Sequence, residues 1–212
     1  MLMGCFLDVY YGKKIGIIDA DEYQWSLNSI YQEERKELFK NYSEEEIDKL
    51  LRDKKIADID VHKMMIDEIV GFVSRIKKGN PYDFLFIDLG QRKVEETLHV
   101  FELADHIIVP YSKDAEEIKQ SVIFSKSIKR YFPDKNIKSL VMKIFRNKAD
   151  DFMEIRKNLK RRFDNDYYKS IIPGRDRYPE KRSLIWPLNY AVEEKDFGKG
   201  VISFMNEFLE QF

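Results

Sequence analysis

Cysteine, histidine and long apolar runs are all scarce in this chain, and each scarcity closes a class of function. The single Cys5 allows no intramolecular disulfide and no cysteine-rich zinc site, which fits a reducing cytosol and predicts a cytoplasmic protein. His62, His99 and His106 are scattered without the helical spacing of a ligand pair, so surface or packing roles are expected of them. No stretch of ~18 apolar residues occurs, so no membrane partner is expected through a spanning helix. The apolar start Met1–Leu7 is short, has no basic residues before it and is followed by its lysines, which makes a poor signal peptide. Charge of one sign is lacking too. Thirty-seven Lys and Arg against 38 Asp and Glu leave a net charge of -1, so no global basic field recruits nucleic acid. Finally, none of the nine glycines stands in a glycine-rich loop ending in Gly-Lys-Ser/Thr, so that type of phosphate cradle is missing from the 212 residues.

What the chain does have is size and alternation. With 43% hydrophobic and 35% charged residues it can bury one sizeable α/β core, and no break in composition divides 1–212 into separate domains. Short apolar runs at 14–19, 82–88, His106–Tyr111, 137–145 and 168–172 read as strands. Between them lie helical patterns. Residues 2–11 are apolar; Ser43 and Glu46 form a capping box ahead of Ile47, Leu50 and Leu51; and 60–77 stripes Val61, Met65, Ile69, Phe72 and Ile76 along one face. Further stripes are Val94, Leu98 and Phe101; Ile118, Val122 and Phe132; Phe152, Ile155, Leu159 and Phe163; and Val201, Met205, Phe208 and Phe212. The segment 22–42, rich in charge and aromatics, is expected to be irregular or partly helical. Such alternation predicts an α/β fold, a mostly parallel sheet flanked by helices with right-handed crossovers.

Two of these strands end on carboxylates. Asp19 and Asp21 close the first and Asp88 closes the second. Residues two apart on a strand face one side, and ligands of open α/β sheets gather at the carboxyl ends. Magnesium suits such a place, because it keeps several waters and takes one or two carboxylates plus phosphate oxygens. An Asp after a strand also commonly caps the next helix, so both readings stand for Asp19 and Asp21.

The residues Gly12-Lys13-Lys14-Ile15-Gly16-Ile17-Ile18-Asp19-Ala20-Asp21 resemble the strand and switch segment of ParA/MinD-type ATPases. Tyr82–Leu89 resembles that family's Walker B strand, Ala104–Pro110 its later Ala-Asp…Pro strand, and Ser170–Pro173 the segment bordering the adenine. The order and spacing of all four agree. The resemblance implies a P-loop NTPase-like, deviant-Walker ATPase occupying 1–212 as a single domain, which uses ATP and Mg2+ only in a version carrying the phosphate loop and is expected to be inactive as given. It implies a homodimer formed with ATP, nonspecific DNA binding, and an unidentified stimulating partner protein. The implied task is partition or transfer of a DNA element such as a plasmid or conjugative transposon. By position, Asp21 matches the aspartate that orients the attacking water, and Asp19 and Asp88 match residues around the metal. Asn147, Pro173 and Arg175 match positions near the base.

The departures from that family pattern are definite. Met1 falls about where the helix after the phosphate loop begins, so the first strand and the loop are expected to be truncated away; genuine decay of the site is the alternative. Glu22-Tyr23-Gln24 replaces a Pro-Gln, and Leu89-Gly90-Gln91 replaces Leu-Pro-Pro. An absent strand beside 14–19 and 82–88 would leave central strands incompletely paired. Basic clusters at Arg156, Lys157, Lys160, Arg161 and Arg162, and at Lys126, Lys129 and Arg130, are candidate DNA contacts or ordinary solvated faces. Two other classes remain on the sequence alone: a non-catalytic interaction module on the same fold, and a flavodoxin-like or receiver domain, for which the chain is too long.

Overall fold

The computed structural model describes residues 2–79, 81–90, 92–111, 115–144, 166–173, 183–186 and 195–212. The chain divides into two compact units, Met1–Arg92 with Glu180–Glu194, and Lys93–Pro179 with Lys195–Phe212. The helix expected around Phe152–Phe163, its basic cluster, and Tyr178–Arg182 lie outside the described residues.

In the first unit, helix α1 (Leu2–Tyr11) leads into strand β1 (Ile15–Asp19). There follow α2 (Ser26–Asn41), α3 (Glu44–Arg52), β2 (Ile59–Lys63), a 3-10 turn at Ile66–Glu68, α4 (Ile69–Ile76) and β3 (Phe84–Asp88). The sheet order is β2-β1-β3, all parallel. Every residue of β1 is buried, as a central strand covered on both faces requires. Because β1 is paired along both edges, a further strand has no place beside it, contrary to the expectation for 14–19. The second edge of β3 carries no strand among the described residues. Phe6 and Leu7 of α1 are fully buried, and Gly4 lets the helix approach β1, since a Cβ there would lie 3.0 Å from Ile15. Asp8 accepts from the Asp58 amide at 2.8 Å and pairs with Lys54 at 2.7 Å, which fixes the entry to β2 against α1.

One sequence expectation changes here, and the partly helical alternative for 22–42 is the one that holds. The single helix over 60–77 is instead strand β2 followed by the 3-10 turn and the eight-residue α4. Ile59-Asp60-Val61-His62-Lys63 pairs residue for residue with Ile15–Asp19, and the ladder to β1 overrides the helical stripe. The segment 22–42 contains a regular 16-residue helix, α2, which buries Leu27, Tyr31 and Leu38. The capping box forms as expected, with the Ser43 hydroxyl accepting from the Glu46 amide and the Glu46 carboxylate from the Ser43 amide. Of the three residues expected to be buried by α3, only Ile47 is fully so.

In the second unit, α5 (Val94–Leu103), β4 (His106–Tyr111), α6 (Ala115–Tyr131), β5 (Asn136–Ile144), β6 (Asp166–Pro173) and α7 (Lys195–Leu209) follow in order. Their sheet is β4-β5-β6, again parallel. Helix α7 packs on β6 through Val201, Phe204, Met205 and Phe208, whereas Phe212 lies beyond the helix and is largely exposed. The Glu207 carboxylate accepts from the amides of Lys169 and Ser170 at 2.6 and 2.8 Å, so a side chain serves a strand at the sheet edge.

His106 sits within this core. It hydrogen-bonds the Tyr168 hydroxyl and meets the rings of Phe208 and Phe212. Burial first, and Lys138 second, push its imidazole down to about 4. The folded value lies below the unfolded one, so the unfolded chain takes up the proton first on acidification. Stability from His106 is complete above about pH 6.5 and is lost as pH falls through about 4. The urea midpoint should therefore be lower at pH 4.5 than at pH 7.5 in the wild type, with a smaller drop in His106→Phe.

Candidate functional site

The carboxyl ends of β1, β2 and β3 bring three loops together within the first unit. The register sets Asp19 opposite Asp88 across the β1–β3 pair and opposite Lys63 across β1–β2. The Ala20 amide donates to the Asp88 carbonyl at 2.9 Å, extending the ladder one step past β1.

Asp19 is fully buried. Its Oδ2 accepts from the Asn28 amide at 2.8 Å, in the first turn of α2, and its Oδ1 accepts from the Asp21 amide at 3.3 Å. The residue before α2, Trp25, offers no capping side chain and stands in the left-handed region with φ 48°. Such a conformation is costly for a bulky residue. The Asp19 carboxylate supplies the missing cap, with its charge at the positive end of the helix. Lys63 sits 4.5 Å from the Trp25 ring centroid, a cation–π contact that adds to holding the strained residue.

Asp21 stands on the turn between β1 and α2. Its carbonyl accepts from the amides of Gln24 and Trp25, and its Oδ1 accepts from Tyr23 at 3.3 Å. The carboxylate lies against Gly90, where φ is +59°. A Cβ on Gly90 would fall 2.6 Å from the Asp21 Cγ, so the turn after β3 can approach Asp21 only as glycine. Asp88 is exposed at the end of β3, with Oδ1 accepting from the Gly90 amide at 3.3 Å. Gly90→Ala is therefore expected to cost about 1–3 kcal/mol through backbone strain and steric overlap, read as a lower urea midpoint, and to displace the Asp21 carboxylate.

A second pair of charges lies beside these. Glu22 Oε1 sits 2.8 Å from an Arg92 guanidinium nitrogen and accepts from the Ile66 amide at 3.2 Å. The Arg92 contact, with help from Ile66, holds the Glu22 carboxyl below the usual range. Neither residue was among the expected site residues. The only trace in the sequence is that both departures from the family pattern carry or adjoin a charge, of opposite sign.

Among the described residues, no three His, Cys, Asp or Glu side chains converge as a self-sufficient metal cage. Of the other expected residues, Pro173 ends β6 in the second unit, its backbone in register with Ile144. Asn147 and Arg175 lie outside the described residues. No described helix is long and apolar enough to cross a membrane.

No protein-family model matches the sequence, and no curated protein matches it. Solved structures do. MinD in the MinC:MinD cell division complex of Aquifex aeolicus aligns with a TM-score of 0.67 at 14% identity, over 99% of this chain and 89% of that one. The chain has the MinD/ParA fold. A candidate plasmid partition protein of Borrelia burgdorferi B31, bound to AMPPNP, aligns at 0.62 and 18% identity over 100% and 91% of the two chains. A ParA family ATPase from Chlorobium tepidum aligns at 0.60 and 12% over 96% and 91%. Within this MinD/ParA fold, the α/β class and the parallel strands agree with the sequence expectation.

Proposed function

We propose that this chain is a ParA-like ATPase module that partitions or transfers a DNA element through ATP-dependent dimerisation, although the 212 residues carry no Gly-Lys-Ser/Thr phosphate loop. The observation that carries the reading is one cluster. Asp19 and Asp88 in register, and Asp21 held against the Gly90 turn, lie at strand carboxyl ends in a MinD/ParA fold. That the 212 residues act as one domain, in the cytoplasm, is part of the proposal.

The residues fit a magnesium nucleotide in a limited way. Bound there, it would supply the phosphoanhydride and the charge that positions it. Phosphoryl transfer asks the protein chiefly for positioning and electrostatics. Asp88, exposed at the strand end, would accept hydrogen bonds from the water shell of a metal. Asp21 would accept a hydrogen bond from the attacking water and so orient it. Asp19, whose oxygens already accept two amides, would serve the metal indirectly by fixing the Asp21 turn and the α2 terminus. Asn147, Pro173 and Arg175 are proposed to border the base.

Sedimentation tests the dimer. A chain extended at its N-terminus by an added strand and a Gly-Lys-Ser/Thr loop should dimerise with AMPPNP and Mg2+ and then bind DNA with affinity that falls steeply with salt. A monomer under those conditions, or salt-independent DNA binding, contradicts the proposal. A second reading, a non-catalytic interaction module, is favoured by the absence of a Gly-Lys-Ser/Thr loop in the sequence. It predicts partner binding unaffected by nucleotide.

A further inference from the structure

The loops after all three strands of the first unit meet at one side chain. Glu22, from the loop after β1, accepts from the Ile66 amide in the loop after β2 and pairs with Arg92 in the loop after β3. Both charged side chains are substantially withdrawn from solvent, 22% and 11% exposed. Arg92 also lies 5.9 Å from the Tyr23 ring centroid, and both its Nε and the Nη2 that faces Glu22 are buried without a hydrogen-bond partner among the described residues, so the contact is an ion pair by distance alone. A guanidinium so placed, with Glu22 as its ion-pair partner, has a strong electrostatic reason to stay there. One turn away, Gly90 packs on the Asp21 carboxylate. The loop after β3 is therefore attached to the loop after β1 twice, by shape at Gly90 and by charge at Arg92.

We propose that Glu22 and Arg92 are positioning residues whose ion pair clasps the three loops into one body, setting Asp21 against Gly90 and relaying any movement of that turn to the loop at Ile66. The clasp exists whether or not the mouth takes a nucleotide; only its use rests on the proposed function. Exposed ion pairs contribute little, but a half-buried pair that joins separate loops is costly to break from one side. Removing Arg92 leaves Glu22 with an uncompensated charge, which solvates by swinging out and releasing Ile66.

Amide hydrogen exchange on the 212-residue chain tests this without nucleotide. Arg92→Gln and Glu22→Gln should each lower protection at Gly90 and Ile66 by about tenfold, with Ile17 and Ile18 in β1 unchanged. That factor corresponds to about 1.4 kcal/mol in the local opening equilibrium. Arg92→Lys should recover part of the protection, whereas the exchange Glu22→Arg with Arg92→Glu should recover it at Gly90 only, because an arginine at position 22 offers no acceptor to the Ile66 amide. Unchanged protection at Ile66 in Arg92→Gln overturns the relay. Equal loss in β1, with no recovery in the exchanged pair, reduces the contact to general stability and overturns it as well. A parallel titration with MgCl2 separates this claim from the functional one. Wild-type amides of Gly90, Tyr23 and Ile66 should shift together, and Ile66 should stop responding in Arg92→Gln. An absence of any Mg2+ response, with the exchange pattern intact, removes the metal reading and leaves the clasp standing.

Discussion

In a chain extended at its N-terminus by an added strand and a Gly-Lys-Ser/Thr loop, Asp21→Ala is expected to lower ATP turnover at least ~10²-fold while leaving nucleotide affinity unchanged. Asp21 is anchored through its own carbonyl, which accepts from Gln24 and Trp25, so removing the carboxylate leaves the turn in place. Its side chain accepts one backbone amide, from Tyr23, and retains acceptor capacity for water. Asp88→Ala should behave differently. That carboxylate is exposed at the strand end and is proposed to hold the metal's water shell, so magnesium-dependent binding and turnover should weaken together. Asp19→Ala should instead cost stability, because a buried capping carboxylate would vanish from two amides. Filter-based turnover assays with parallel calorimetry distinguish the three. Near-normal turnover in both Asp21→Ala and Asp88→Ala would make these aspartates structural and contradict the roles proposed for them.

The largest stability effect is expected far from that mouth, at Leu184. Residues 183–186 belong to the first unit although 150 residues separate Leu184 from Glu34. Leu184 and Ile185 are buried, and the Glu34 carboxylate of α2 accepts both their amides, at 2.8 and 3.1 Å. The Cys5 thiol donates to the Leu184 carbonyl, and the Ala57 amide to the Ile185 carbonyl at 2.8 Å. Burial pushes that thiol up to about 12, so it stays protonated and remains a donor at neutral pH. Leu184→Ala should cost about 2–5 kcal/mol through lost burial and a cavity. Glu34→Ala should cost about 1–3 kcal/mol by orphaning the amides, whereas Glu34→Gln keeps an acceptor and should cost less. Because the residues share partners, the double variant should fall short of the sum. Urea midpoints within error of wild type for both single variants would mean that the segment is not a staple of this unit.

Much of the fold could be read from the sequence where one signal dominated. Ile15–Asp19, His106–Tyr111 and the capping box at Ser43 announce themselves through apolar runs or paired side chains. Strand β2 did not, because Val61, Met65, Ile69, Phe72 and Ile76 happen to fall at helical spacing; only the ladder to β1 makes Ile59–Lys63 extended. Helix α2 was hidden for a different reason. Its cap comes from Asp19, nine residues before the amide it serves, and Trp25 at the boundary gives no start signal. The site divides in the same manner. Three aspartates at strand ends are visible as a local pattern, but the Glu22–Arg92 contact depends on where two loops meet in space, which neither loop's composition dictates.

The most direct test of the central claim is calorimetric titration of Mg2+·ATP into the 212-residue chain and into the chain extended at its N-terminus by an added strand and a Gly-Lys-Ser/Thr loop. No micromolar binding is expected from the first, and micromolar binding, weakened by Asp88→Ala, from the second. Micromolar binding by the 212 residues alone, or a fully extended chain that stays silent, would contradict a nucleotide site built on Asp19, Asp21 and Asp88.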